Sequence, residues 1–218
     1  MSTRLIGGVI MTHGDDSGLI LPPRVAPYQV VIVPISRGNW QETVLPKARE
    51  IQAELARHDV RVMLDDRDSF TPGWKFAEWE LRGVPLRLEI GPKDIEKSQV
   101  ILARRDTREK LPTPVEGLAG AVSELLKEIQ QALYRRALHF REQHTTRVAN
   151  YDEFKQAMEG RPGFVIAGWC GSAECEAQIK AETQATLRNI PFGSERVEGT
   201  CVKCGRSSTV QAWFAKAY

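Results

Sequence analysis

With 218 residues, 42% of them hydrophobic and 27% charged, the chain is long enough to bury one sizeable core or two small ones and has the composition of a soluble globular protein. Its formal net charge of +2 excludes a protein that wraps nucleic acid without regard to sequence, so any RNA contact has to come from a local patch. No apolar run approaches the roughly 20 residues that span a bilayer, and the acids in MSTRLIGGVIMTHGDD are foreign to a secretory leader, so the chain reads as cytoplasmic, with no membrane partner.

Residues 1–27 do not read as the beginning of a domain. STRLIGGVIM predicts a strand in mid-course, THGDDSG a polar turn, and LILPPRVAP an extended, proline-stiffened linker. From Tyr28 the pattern becomes regular. YQVVIVPI has the near-continuous β-branched character of a buried parallel strand. Glu42 to His58 follows as a helix with Val44, Ala48, Ile51 and Leu55 on one face, and Pro46 is tolerable there because it lies in the first turn. Val60 to Leu64 predicts the next strand, Thr71 to Arg82 the next helix and Leu86 to Ile90 the third strand, which is the alternation of an α/β sheet. Gln99 to Ala103 adds a strand, and RRDTREKLPTP reads as a charged turn followed by a proline-punctuated connection.

Within this region, Trp74 to Asp94 concentrates the residues that bear chemistry. Phe76 and Glu80 lie four apart and share a helix face. Gly91-Pro92-Lys93-Asp94 reads as a tight loop that sets a cation beside a carboxylate at the end of a strand, where open α/β sheets hold their ligands. An aromatic face, a carboxylate that accepts from base amino groups, and basic donors together suit unpaired bases. The competing reading is an amphipathic helix with a solvated polar face.

Val115 to about Thr146 predicts a long helix with Leu126, Ile129, Leu133, Ala137 and Phe140 along one stripe. His139 and His144 fit surface or packing roles better than ligation. A second unit starts at Tyr151, with a helix closed by Gly160, the strand GFVIAGW, a helix from Ser172 to Leu187 and a final strand TVQAWFAKAY. All four cysteines fall here, as C-x4-C (Cys170, Cys175) and C-x2-C-G (Cys201, Cys204). Two close pairs joined by a long loop suit four-thiolate zinc, a closed coordination sphere that holds structure and leaves no position for catalysis; disulfides and unligated thiols are the alternatives.

STRLIGGVIMTHGDDSGLILPP, APYQVVIVPI, DDRDSFTPGWKFAEWELRGVPLRLEIGPKD, CVKCG and the terminal FAKAY together resemble the C-terminal part of prolyl-tRNA synthetase, in its archaeal and eukaryotic-like type. The resemblance implies an α/β fold: a class II anticodon-binding domain, with a mixed sheet flanked by helices, followed by a small α+β zinc-binding domain. It implies a remnant of the catalytic domain over 1–25, the anticodon-binding domain over 26–130 and the zinc domain with its connecting helix over 131–218. STR resembles the tail of class II motif 3, which makes Arg4 an ATP-phosphate contact in the intact enzyme. Motifs 1 and 2 are missing, so the chain alone is expected to be inactive, with ATP and magnesium serving only the intact enzyme. The family's contacts to the two guanines of the proline anticodon match Phe76, Glu80, Arg87, Lys93 and Asp94, and Cys170, Cys175, Cys201 and Cys204 match its structural zinc ligands. The implied partner is proline tRNA. The intact enzyme is expected to be a homodimer and this chain a monomer, with Tyr218 docking near the catalytic domain of the intact enzyme. A free-standing RNA- or protein-binding adaptor is the alternative.

Overall fold

Leu5, Ile6, Val9 and Ile10 lie in an α-helix, α1 (Arg4–Thr12), where the sequence predicts a strand. Leu5 and Val9 are four apart, as are Ile6 and Ile10, and that helical spacing outweighs the strand preference of the β-branched residues. The polar turn follows as a small hairpin, β1 (Gly14–Asp15) with β2 (Gly18–Leu19). The computed structural model describes residues 3–35, 38–160, 163–192 and 198–216. It forms two units, Met1–Arg136 and Ala137–Tyr218.

In the first unit the regular elements are β3 (Val30–Pro34), α2 (Trp40–Thr43), α3 (Leu45–Arg57), β4 (Val62–Leu64), α4 (Pro72–Leu81), β5 (Leu86–Ile90), α5 (Pro92–Glu96), β6 (Gln99–Arg104), β7 (Lys110–Pro114) and α6 (Leu118–Gln143). The strands form one mixed sheet in the order β4-β3-β5-β6-β7; β4, β3 and β5 are parallel, and β6 and β7 antiparallel to their neighbours. Alternation along the strands divides the sheet's two faces. Val30, Ile32, Leu86, Leu88, Ile90, Val100 and Leu102 join the apolar stripes of α3 and α6 in the main core, whereas Val31 and Val33 meet Trp79 and Phe76 of α4 on the other side. That second face is covered by a helix over β3, which leaves Arg87 and Glu89 of β5 beside α4 to carry polar chemistry.

Three elements differ from their sequence expectation here. Lys110–Pro114 is the edge strand β7, not a connection; a proline removes a ladder donor, and an edge strand tolerates this. Gly91 to Asp94 is not a tight loop but the entry to α5, with Pro92 at its first position and the Asp94 carboxylate accepting the Gly91 N–H at 2.9 Å. The long helix is also shorter than its pattern. Leu126, Ile129 and Leu133 are buried, but Phe140 is exposed and stacks on the ring of His144, outside the apolar stripe.

α4 is pinned by a buried ionic cluster. The Lys75 ammonium donates to the Asp65 carbonyl at 3.1 Å, the Arg67 guanidinium to both Asp65 carboxylate oxygens at 2.8 and 2.7 Å, and the Trp79 indole to Asp65 at 2.7 Å. Burial alone raises the Asp65 pKa, but the hydrogen bonds from Arg67 and Trp79 and the charge of Lys75 outweigh it and hold the group at about 2. The folded-state pKa is depressed, so this contribution is complete above the ordinary carboxylate range and is lost as pH falls from about 4 through about 2, by an amount on the order of 2 kcal/mol. Urea titrations across that window should show a steep loss of stability in the native chain and a flatter one in Asp65→Asn; equal slopes would assign acid sensitivity to other carboxylates.

The second unit contains β8 (Thr145–Arg147), α7 (Tyr151–Glu159), β9 (Phe164–Trp169), α8 (Ala173–Thr183), β10 (Ala185–Asn189), β11 (Gly199–Thr200), β12 (Ser207–Ser208) and β13 (Val210–Lys216). Its sheet has the order β10-β13-β9-β8, and Phe154, Met158, Val165, Ile179 and Phe214 fill a core of its own. α8 ends at Thr183, short of the expected Leu187, because Gln184 takes a left-handed conformation and donates its N–H to the Lys180 carbonyl. Glycine usually marks such a stop, and its absence hid this one. Tyr218 lies outside the described residues.

Candidate nucleic-acid interface and metal centre

Thr71 accepts the Trp74 N–H and Pro72 occupies the first position of α4, so the helix starts where its cap dictates. One turn later Phe76 meets the sheet. The Arg87 guanidinium carbon sits 4.1 Å from the Phe76 ring centroid, and the Lys110 ammonium 5.6 Å from it. Both cations are tethered by Glu89, two residues beyond Arg87 on the same side of β5. Arg87 donates to Glu89 through two nitrogens at 3.1 and 2.9 Å, and Lys110 donates at 3.0 Å. Glu89 is itself buried, so its charge is held by partners rather than by water.

Glu80 follows Phe76 along α4 and borders a cleft of about 260 Å³ with Trp79, Arg87, Arg105, Arg108 and Lys110. Its carboxylate is half-buried, 3.8 Å from Arg108, which leaves acceptor capacity open toward the cleft. Arg105 closes the floor: it donates to the Glu80 carbonyl at 3.1 Å and grips both oxygens of Asp15 at 3.0 and 2.6 Å. Hydrogen bonds from that guanidinium hold the Asp15 carboxyl far below the usual range.

Phe76, Glu80 and Arg87 are therefore brought together. Among the described residues no hydrogen bond, ion pair or ring contact joins Lys93 or Asp94 to Phe76, Glu80 or Arg87. Arg105, whose backbone N–H bonds to Pro85, ties Glu80 to the start of β5, whereas Lys93 and Asp94 follow its end. Lys93 is exposed, and Asp94 has one oxygen occupied by its own helix cap. Arg4 is exposed at the start of α1. Trp79 is a core ring, and Trp74 stacks on Phe70 on the surface. Sequence reading missed Glu89 and Lys110. The spacing of Arg87 and Glu89 in LRLEI could have placed both on one face, but Lys110 required recognition of β7.

In the second unit the four cysteines converge from separate elements. Cys170 directly follows β9, Cys175 lies in the first turn of α8, and Cys201 and Cys204 form the turn between β11 and β12. Cys170 Sγ lies 3.7 Å from both Cys175 Sγ and Cys204 Sγ, and all four sulfurs are within 4.8 Å of one another. Sulfurs bound at about 2.3 Å to one tetrahedral ion stand about 3.8 Å apart, so this set fits zinc. Gly205, at φ +70°, lets the Cys201 carbonyl accept its N–H and close the knuckle. At Gly168 a Cβ would stand 2.2 Å from the Thr200 carbonyl oxygen, so only glycine lets the knuckle approach β9 this closely. Arg206 donates to Cys204 Sγ at 3.3 Å and reaches Cys170 Sγ at 3.8 Å. Hydrogen bonding to Arg206 brings the Cys204 thiol down to about 6, whereas burial pushes Cys175 up to about 12. Among the described residues no helix is long and apolar enough to cross a membrane.

Comparison with known proteins matches these two units to two family models. Residues 29–130 match the anticodon binding domain and residues 151–218 the C-terminal domain of prolyl-tRNA synthetase. Proline-tRNA ligase 2 of Clostridioides difficile is 53% identical over 219 residues, covering all of this chain and 45% of that protein. The proline-tRNA ligase of a Roseiflexus species is 52% identical over 221 residues, again covering all of this chain and 46% of the relative. The chain thus spans a little under half the length of these curated relatives. It belongs to the prolyl-tRNA synthetase family, of which it carries the anticodon-binding domain and the C-terminal domain.

Proposed function

We propose that this chain reads the anticodon of proline tRNA on behalf of a proline-tRNA ligase, which joins proline to that tRNA with ATP and magnesium. The observation that carries the reading is one cleft bordered by Glu80, a half-open carboxylate, and by Arg87, a cation braced by Glu89 that lies over the Phe76 ring. Glu80 accepts the N1 and N2 hydrogens of a guanine, Arg87 donates to base oxygen or nitrogen, and the outer side of Phe76 stacks a base, since Arg87 lies over one of its faces. Lys93 and the second oxygen of Asp94 serve the neighbouring guanine at the far end of β5. Adenine offers neither of the hydrogens these carboxylates accept, which makes the pair selective.

Residues 1–25 carry the remnant of a catalytic domain, in which Arg4 contacts ATP only when that domain is complete. In the cytoplasm the intact enzyme works as a homodimer. Cys170, Cys175, Cys201 and Cys204 hold one structural zinc. This ion supplies cross-linking of three chain segments and no reaction chemistry.

A gel-shift competition tests the reading. Native proline-tRNA transcript should displace labelled transcript at least tenfold better than one with adenines at the two guanine positions. Equal competition would leave an RNA-binding adaptor without decoding, and no binding would remove RNA as a partner.

A further inference from the structure

We propose that Lys110 is a further RNA contact of this site, to a backbone phosphate, and that Glu89 is the positioning residue that holds it there. The inference rests on the anticodon-reading role proposed above. Lys110 opens the edge strand β7, and its side chain is about half exposed (53%) although its ammonium is bound to Glu89 at 3.0 Å. An ammonium has three donors, so Glu89 leaves further ones for a ligand. Buried Glu89 carries one negative charge against the two positive charges of Arg87 and Lys110, so the clasp has a net charge of +1 and remains a site for an anion.

The two cations differ in what they can still offer. Two nitrogens of Arg87 are committed to Glu89, and its guanidinium carbon lies 4.1 Å from the Phe76 ring centroid. Its remaining donors point in fixed directions, as base reading requires. Lys110 is a point charge on a flexible stem at the rim of the same cleft, which suits a phosphate and carries no base preference. Without Glu89, a half-exposed lysine would sample many rotamers; with it, the charge is held 5.6 Å from the ring on which a base stacks.

The test is the salt dependence of binding of the full chain to two transcripts, native proline tRNA and the adenine-substituted one. Lys110→Gln should lower the slope of log affinity against log salt by about 0.7, the value for one phosphate contact on a single strand, which at 0.15 M salt is a loss of about fourfold. The loss should be equal for both transcripts, and Lys110→Arg should restore it. An unchanged slope in Lys110→Gln, with Glu80→Ala still abolishing anticodon preference, overturns this inference and leaves the decoding role standing. A loss for the native transcript alone also overturns it, because Lys110 would then be reading a base. If neither Glu80→Ala nor Arg87→Ala changes preference while Lys110→Gln lowers the slope, base reading by this cleft falls and the phosphate contact survives.

Discussion

Removing zinc from the four-cysteine centre, or replacing Cys201 with Ser, is expected to unfold the second unit while the first stays folded. The apolar core of that unit centres on Phe154, Ile179, Val165 and Phe214 and is distinct from the core of the first unit. A chain segment of this size rarely gains more than about 3–5 kcal/mol from its core alone. Structural zinc contributes on the order of 10 kcal/mol at neutral pH, so its loss exceeds the margin. The geometry explains why a single ligand matters. Cys201 is buried, and its backbone N–H and carbonyl close the knuckle onto Arg206 and Gly205. A serine there removes one of four bonds and leaves a closed sphere incomplete. Chelator titration followed by proteolysis and mass spectrometry should show cleavage confined to residues after about 137, with release of one zinc per chain. A protease-resistant second unit after complete zinc loss would show that packing around Phe154 and Phe214 suffices.

The second large effect concerns Glu80. Glu80→Ala should reduce discrimination between guanine and adenine in the anticodon about 30-fold, the equivalent of about 2 kcal/mol for the loss of a carboxylate-accepted pairing. Its fold should be unaffected, because the side chain is half-buried and its nearest ion-pair partner, Arg108, stands 3.8 Å away. Arg105 bonds to the Glu80 backbone carbonyl, which the substitution keeps. Competition between the two transcripts, with thermal melting as the control, reads the effect. Full preference for guanine in a folded Glu80→Ala chain would transfer base reading to the other end of β5, to Asp94 and Lys93.

The elements built on long or strongly patterned segments were legible in the sequence. The β3 run, the α3 stripe of Val44, Ala48, Ile51 and Leu55, and the strands Leu86–Ile90 and Phe164–Trp169 each carry their pattern within the segment itself. Where two local signals competed, the reading failed. At α1 the β-branched residues spoke for a strand and their four-residue spacing for a helix. At β7 the prolines spoke against a strand, yet pairing to β6 at an unpaired edge accommodates them. At Gln184 a left-handed residue ended a helix without glycine.

The same division holds for the site. Residue chemistry and spacing within this sequence determined that Phe76 and Glu80 share a helix face and that two cysteine pairs suit one ion, because a helical turn and a short knuckle are local geometries. Tertiary structure alone decided that Arg87 lies over Phe76, that Glu89 braces Arg87 and Lys110 together, and that Asp94 caps its own helix just past the end of β5. The first two relations depend on strand order and on the pairing of β5 with β6 and β6 with β7. Residues 21 apart, such as Glu89 and Lys110, meet only after the sheet has set its register, and no local periodicity encodes that distance.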